Sequence, residues 1–156
     1  MKNGLKSILF FSALILIVDQ VIKILISDRV VLDGGFPLIK NFISITLVHN
    51  TGAAFSIFSG SRIFLIGIGV LALLFVLIFA SAENNMSDFE AFTYSLLVGG
   101  ILGNLTDRIV RGYVIDYLSF DFEKINFPVF NLADVCIVLS VAFFLFEMIG
   151  ASAWKE

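Results

Sequence analysis

The sequence predicts an all-α membrane protein: a four-transmembrane-helix bundle with a small extramembrane β-sheet and an interfacial loop on one common side. Three observations lead there. Of its 156 residues, 59% are hydrophobic and only 15% charged, and the mean hydropathy is +1.02. A water-soluble domain of this size has no use for so much apolar surface, because its exterior must be wetted. Long apolar segments recur, each sufficient to cross a hydrocarbon core of about 30 Å at about 1.5 Å rise per residue. The connections between them are polar, aromatic or β-branched.

The first span covers about 8–26 and is interrupted late by Asp19, Gln20 and Lys23. Its start, Met1-Lys2-Asn3-Gly4-Leu5-Lys6, looks like a signal peptide, but the apolar stretch outruns an h-region. No small-x-small cleavage site precedes Asp28, so the segment reads as a retained span. The second span, about 63–80, carries no charge. The third, about 89–110, has Gly99, Gly100 and Gly103 near its middle and Asn104, Asp107 and Arg108 near its end. The fourth, about 129–149, opens on Phe130-Asn131-Leu132-Ala133-Asp134.

The connections differ. A short polar turn, 81–88, joins spans two and three. In the long connection 27–62, Phe42 to Val48 is β-branched and partly alternating, which predicts a strand. His49-Asn50-Thr51-Gly52 then supplies a turn, and 54–58 a returning strand, giving a surface β region over about 36–60. The third connection, 111–128, mixes aromatics with charges as interfacial segments do. No repeat or soluble domain is evident, so 1–156 reads as a single integral-membrane domain. The net charge is −3, with no basic run to suggest nucleic acid. The lone Cys136 cannot form an internal disulfide and reads as a small buried hydrophobe.

Four crossings put both termini on one side and the two long connections on the other. Asp19, Lys23, Asn104, Asp107, Arg108, Asp116, Asn131 and Asp134 then converge at one membrane face, which marks a site. Ionisable groups at membrane depth cost roughly 2.5–3.5 kcal/mol each, so they seldom lie there without a role. The positive-inside rule does not favour cytoplasmic termini. Lys2, Lys6 and Lys155 flank the termini, whereas Arg29, Lys40, Arg62, Arg111 and Lys124 lie opposite.

Each candidate has a plainer reading. Asp19 and Lys23, four apart, form a self-neutralising helical pair that supports structure. Gly100, Asn104, Asp107, Arg108 and Arg111 share a helical face, and the glycines make a small-xxx-small packing seam. His49, the single histidine, reads as an interfacial hydrogen-bonding residue. No second histidine or cysteine pair is available for a zinc site, and no Gly-x-Ser-x-Gly signature supports a serine triad. Asp116 and Asp134 remain the pair suited to chemistry. With one ionised and one protonated, the first deprotonates a water while the second donates to a carbonyl oxygen. Helix capping is the alternative, for which Asn131 is better placed than Asp134.

Five segments together resemble the lipoprotein signal peptidase (signal peptidase II) family: Asp19-Gln20-Val21-Ile22-Lys23, Asn50-Thr51-Gly52-Ala53-Ala54-Phe55, Gly103-Asn104-Leu105-Thr106-Asp107-Arg108, Val114-Ile115-Asp116-Tyr117 and Phe130-Asn131-Leu132-Ala133-Asp134. They occur in the family's order over nearly the whole chain. Tyr117 stands where phenylalanine is common. The resemblance implies an aspartyl endopeptidase of the bacterial inner membrane. Such an enzyme removes the signal peptide of a prolipoprotein just before a cysteine carrying diacylglycerol. It implies Asp116 and Asp134 as the catalytic dyad. Asp19, Lys23, Asn50, Gly52, Asn104, Asp107, Arg108 and Asn131 would support it or bind substrate. It also implies no cofactor or metal, a monomer among membrane lipids, cytoplasmic termini, and a site toward the outer face, against the raw charge count. Two other classes fit the composition: a small ion transporter or channel using the acidic cluster as a relay, and a lipid-binding scaffold. A relay needs carboxylates staggered across the bilayer, whereas here they crowd at one end.

Overall fold

A computed structural model describes residues 2–53, 57–120 and 127–153. Helix α1 (Lys2–Arg29) leads into strands β1 (Gly35–Ile39) and β2 (Ile43–Asn50). Helices α2 (Arg62–Ala82) and α3 (Asp88–Val110), strand β3 (Val114–Phe120) and helix α4 (Leu132–Ala153) follow. Among the described residues, three stretches are long and apolar enough to cross a membrane: Gly4–Arg29, Arg62–Ala82 and Leu132–Ile149. The third helix is not among them, so the predicted count of four spans does not follow from length and composition alone.

Instead, α3 is the packing centre. It contacts α1, α2 and α4, and residues from Ala91 to Asp107 are buried along it. Its start is fixed by a capping box: Glu90 N donates to Ser87 Oγ at 3.1 Å, and Ser87 N to Glu90 Oε2 at 2.6 Å. The glycine seam then lets its neighbours in. A Cβ at Gly99 would lie 2.8 Å from the Ile15 side chain on α1, and one at Gly100 would lie 2.6 Å from the Ala133 carbonyl on α4. The outer faces of α1, α2 and α4 carry exposed Phe10, Leu71, Ile78 and Phe146. That inverts the soluble pattern and suits hydrocarbon as solvent.

The sheet is antiparallel, in the order β1-β2-β3. Strand β2 matches the predicted one but continues through His49 and Asn50, which the sequence had suggested as a turn. β3 corrects the reading of 111–128 as an interfacial loop, since Val114–Phe120 within it forms a strand paired with β2. β1 and β3 occupy both edges of β2, so no edge remains for the predicted return over 54–58. Residues 54–56 of that segment lie outside the described residues, and Ile57 to Gly60 form a turn, with Ala53 N donating to the Ile57 carbonyl at 2.7 Å and Phe58 at φ 60°. Val30, Ile45, Leu47, Ile115 and Tyr117 form the core that fastens the sheet to the end of α1. The fourth helix begins three residues later than predicted, because Phe130 is held in an antiparallel bridge to Leu118.

Candidate active site

The end of α1, the end of α3, the start of α4 and the sheet meet at one end of the bundle, and the predicted polar residues meet there with them. Asp116 projects from β3, 2% exposed. Asn131 immediately precedes α4, and Asp134 follows in its first turn, partly exposed.

Three amides lock the two carboxylates. Asn50 Nδ2 donates to Asp116 Oδ2 at 2.9 Å, and Asn131 Nδ2 to Asp116 Oδ1 at 2.6 Å. Asn104 Nδ2 donates to Asp134 Oδ1 at 2.7 Å. Asn131 Nδ2 also reaches Asn104 Oδ1 at 3.2 Å, so a chain Asp116–Asn131–Asn104–Asp134 runs across the site. Backbone donors set the amide orientations: Gly52 N donates to Asn50 Oδ1 at 2.9 Å, and Asp134 N to Asn131 Oδ1 at 3.0 Å. An oxygen that accepts from an N–H leaves its NH₂ to face the carboxylates.

Asp134 and capping turn out to be linked. Asn131 N donates to Asp134 Oδ2 at 3.2 Å, so Asn131 and Asp134 form a reciprocal cap. The rest of the first turn of α4 is served by side chains as well. Leu132 N donates to Tyr117 Oη at 3.2 Å and Ala133 N to Asp19 Oδ1 at 3.1 Å. These bonds satisfy the orphan donors of a helix start and tie the first turn of α4 to β3 and α1.

Beneath the pair lies a buried ionic layer. Lys23 Nζ sits 2.8 Å from Asp19 Oδ2, 2.8 Å from Asp107 Oδ2 and 3.3 Å from Asn104 Oδ1, all three ion-pair partners being 0% exposed. The predicted Asp19–Lys23 pair is therefore present, but it is deep and shared rather than self-contained. Each of its aspartates grips the backbone one residue before a member of the pair. Asp19 takes Ala133 N, and Asp107 Oδ2 takes Ile115 N at 3.2 Å. Lys23 thus joins the two supports. Removing one partner of such a buried pair costs about 3–5 kcal/mol, because the other charge is left uncompensated. A Cβ at Gly103 would come 2.7 Å from Asp19 Oδ2 and 3.0 Å from Ala133 Cβ, so only glycine admits this layer against α3.

Arg108 stands beside the pair. Its Nη2 donates to the Gly52 carbonyl at 2.9 Å and its Nη1 to the Asn104 carbonyl at 3.4 Å, while its buried Nε–H lacks an acceptor among the described residues. The charges of Asp134, Asp116 and Asp107 all act on it. Every predicted site residue is therefore part of one assembly. Sequence reasoning missed Gln20 and the Tyr117 hydroxyl as members, and it put Arg111 on the right helical face without giving it a partner. His49 lies outside, stacked on Tyr113 at 3.9 Å between ring centroids. Arg62 donates to the Arg108 and Ile109 carbonyls, each at 2.8 Å, capping α3 rather than signalling topology.

Electrostatically the site is poised for proton exchange. Burial, aided by the Asp134 charge, pushes the Asp116 carboxyl up to about 6, against the hydrogen bonds from Asn50 and Asn131. Among the described residues, no group of three or more His, Cys, Asp and Glu side chains is arranged to hold a metal ion.

Fold and site together define a mostly helical, membrane-type protein with two carboxyls locked at one end of its bundle. The signal peptidase (SPase) II family matches residues 11–150. The chain belongs to the signal peptidase II family, a family of peptidases. It is 39% identical over 129 residues to the lipoprotein signal peptidase of Halothermothrix orenii, covering 83% of this chain and 86% of that protein. It is 39% identical over 143 residues to that of Serratia marcescens, covering 89% and 82%. A solved bacterial membrane enzyme superposes with a TM-score of 0.89 at 28% identity, over 97% of this chain and 92% of the other. A second does so at 0.83 and 29%, over 92% of each.

Proposed function

We propose that this protein is an intramembrane aspartyl endopeptidase of the bacterial cytoplasmic membrane. It removes the signal peptide from diacylglyceryl-modified prolipoproteins, cutting before the lipidated cysteine, with Asp116 and Asp134 as its dyad. The observation that carries the reading is the amide chain through Asn131 and Asn104, which holds the buried Asp116 and the partly exposed Asp134 as one unit. The family and its named relatives support the substrate class.

In this mechanism a water lies between the dyad and the scissile carbonyl. Asp134, at the amino end of α4, is the ionised member, because a helix start favours an anion. It takes a proton as the water oxygen adds to the carbonyl carbon. Asp116, on a strand, gives its proton to the carbonyl oxygen. The tetrahedral gem-diol then collapses: the C–N bond breaks, the leaving amine takes the proton from Asp134, and one gem-diol hydroxyl returns its proton to Asp116 as the carboxylic acid forms. Arg108 Nε–H, buried and without an acceptor among the described residues, is placed to steady the extended substrate near Gly52. The whole chain acts as one membrane domain. α3 is its fourth crossing, carrying its polar residues inward against α1 and α4, so that both termini face the cytoplasm and the dyad the outer side. The gathering of Asp19, Asp107, Asp116 and Asp134 at one end disfavours an ion relay across the bilayer.

Cleavage of a diacylglyceryl-cysteine precursor tests the reading. Asp116→Asn and Asp134→Asn should each lose about 10²–10⁴-fold in kcat, the range for a general acid or base, while remaining folded. Wild-type turnover by either variant would remove it from the dyad.

A further inference from the structure

Lys23 is one tie between Asp19 and Asp107, and a second runs parallel to it. Gln20 Nε2 lies 3.2 Å from Asp19 Oδ2, 3.1 Å from Asp107 Oδ1 and 3.3 Å from the Gly103 carbonyl. Its Oε1 accepts from Arg111 Nη1 at 2.9 Å, and the same Nη1 donates to Asp107 Oδ1. A guanidinium only donates, so Gln20 must present its oxygen to Arg111 and its NH₂ to the two carboxylates. One amide therefore touches both supports of the dyad. Arg111, whose side chain is 21% exposed, closes the assembly at its solvent edge.

The charges also require Arg111. Asp19 and Asp107 bring two negative charges into the layer and Lys23 returns one positive charge. Arg111 supplies the second. Without it, a net negative charge would lie beneath the dyad. The dyad is faced by Asp19 and Lys23 from α1, Arg108 from α3 and Tyr117 from β3, with Asp107 of α3 beside Arg108, Cys136 of α4 beside Tyr117, and Arg62 from α2 at the end of α3.

We infer that Gln20 and Arg111 are positioning residues: a second tie that fixes the spacing of Asp116 and Asp134, with Arg111 also setting the potential at the pair. The inference rests on the dyad proposed above. It goes beyond it by assigning work to two residues that touch neither carboxyl of the pair.

The test uses the purified full-length protein and a diacylglyceryl-cysteine precursor peptide, with kcat and KM measured across pH for wild type, Gln20→Met, Arg111→Gln, Arg111→Lys and Asp134→Asn. Thermal unfolding in the same detergent reports the folded fraction. Gln20→Met should lower kcat about 10–100-fold, as outer partners of a catalytic group do, with KM and the pH midpoint unmoved. Arg111→Gln should lower kcat and shift the alkaline limb to higher pH, because losing a cation strengthens the pair's hold on its proton. Arg111→Lys should restore the wild-type midpoint. Wild-type kcat in both Gln20→Met and Arg111→Gln would overturn the inference. So would losses that track the folded fraction, with no shift of midpoint and no rescue by lysine. An active Asp134→Asn would overturn the dyad itself.

Discussion

At the scale of single residues, the two carboxyls are each held by donors already in place. Asp116 receives one amide on each oxygen and Asp134 receives Asn104 on one and the Asn131 backbone on the other. Neither carboxyl can turn without breaking one of these hydrogen bonds, and for the buried Asp116 leaving a partner unsatisfied costs about 1–3 kcal/mol. A pH dependence follows. The dyad proposed above works with one proton, and burial raises the Asp116 carboxyl that would carry it to about 6 from the ordinary 3.8. As pH rises through that value the acid is lost, so kcat/KM, which reports the free enzyme, should fall along an alkaline limb centred at about 6. In kcat the limb should stand higher, since a bound peptide displaces water and further disfavours charge. A pH–rate series on wild type checks both limbs, and a kcat/KM that rises through pH 6 would contradict the assignment of the acid.

At the scale of elements, the helices were legible because their apolar runs are long, and their bounds fall within a few residues of prediction except at the N-terminus and at α4. The sheet was only half legible. β2 announced itself through Ile43, Ile45 and Val48, but β3 was concealed because Val114 to Phe120 is brief and lies among charged and aromatic residues. Its pairing depends on β2, which is far away in sequence. The same limit explains the site. Asp19 with Lys23, and Asn104 with Asp107, share helical spacings that a sequence displays. The grip of Asp19 on Ala133 N spans 114 residues and has no local sign. Packing of α3 rests on its glycines, which leads to a prediction. Gly103→Ala should push Asp19 and Ala133 apart, destabilise the protein by about 1–3 kcal/mol as overpacking does, and depress kcat. Thermal unfolding and turnover of the variant measure both, and an unaltered enzyme would show that α1 and α4 can yield at this point.

At the scale of the whole molecule, the bundle presents apolar side chains outward and, among the described residues, gathers its buried ionisable ones at one end. Charge counting alone opposed the proposed orientation. Two of the five basic residues on the site's side, Arg62 and Arg111, are bonded to the end of α3 and to Asp107, which explains why they need not report topology. Thiol labelling decides the matter. A single cysteine at Lys40, between β1 and β2, should react with a membrane-impermeant reagent in intact cells, and one at Asn84, between α2 and α3, should not. The reverse pattern would invert the protein in the membrane.

The central claim is that Asp116 and Asp134 cleave a lipid-modified precursor. Turnover of a diacylglyceryl-cysteine precursor by the wild-type protein and by Asp134→Asn, each shown to be folded, tests it most directly. The account predicts cleavage immediately before the cysteine by wild type and a loss of about 10²–10⁴-fold in the variant. Equal cleavage by both proteins would contradict it.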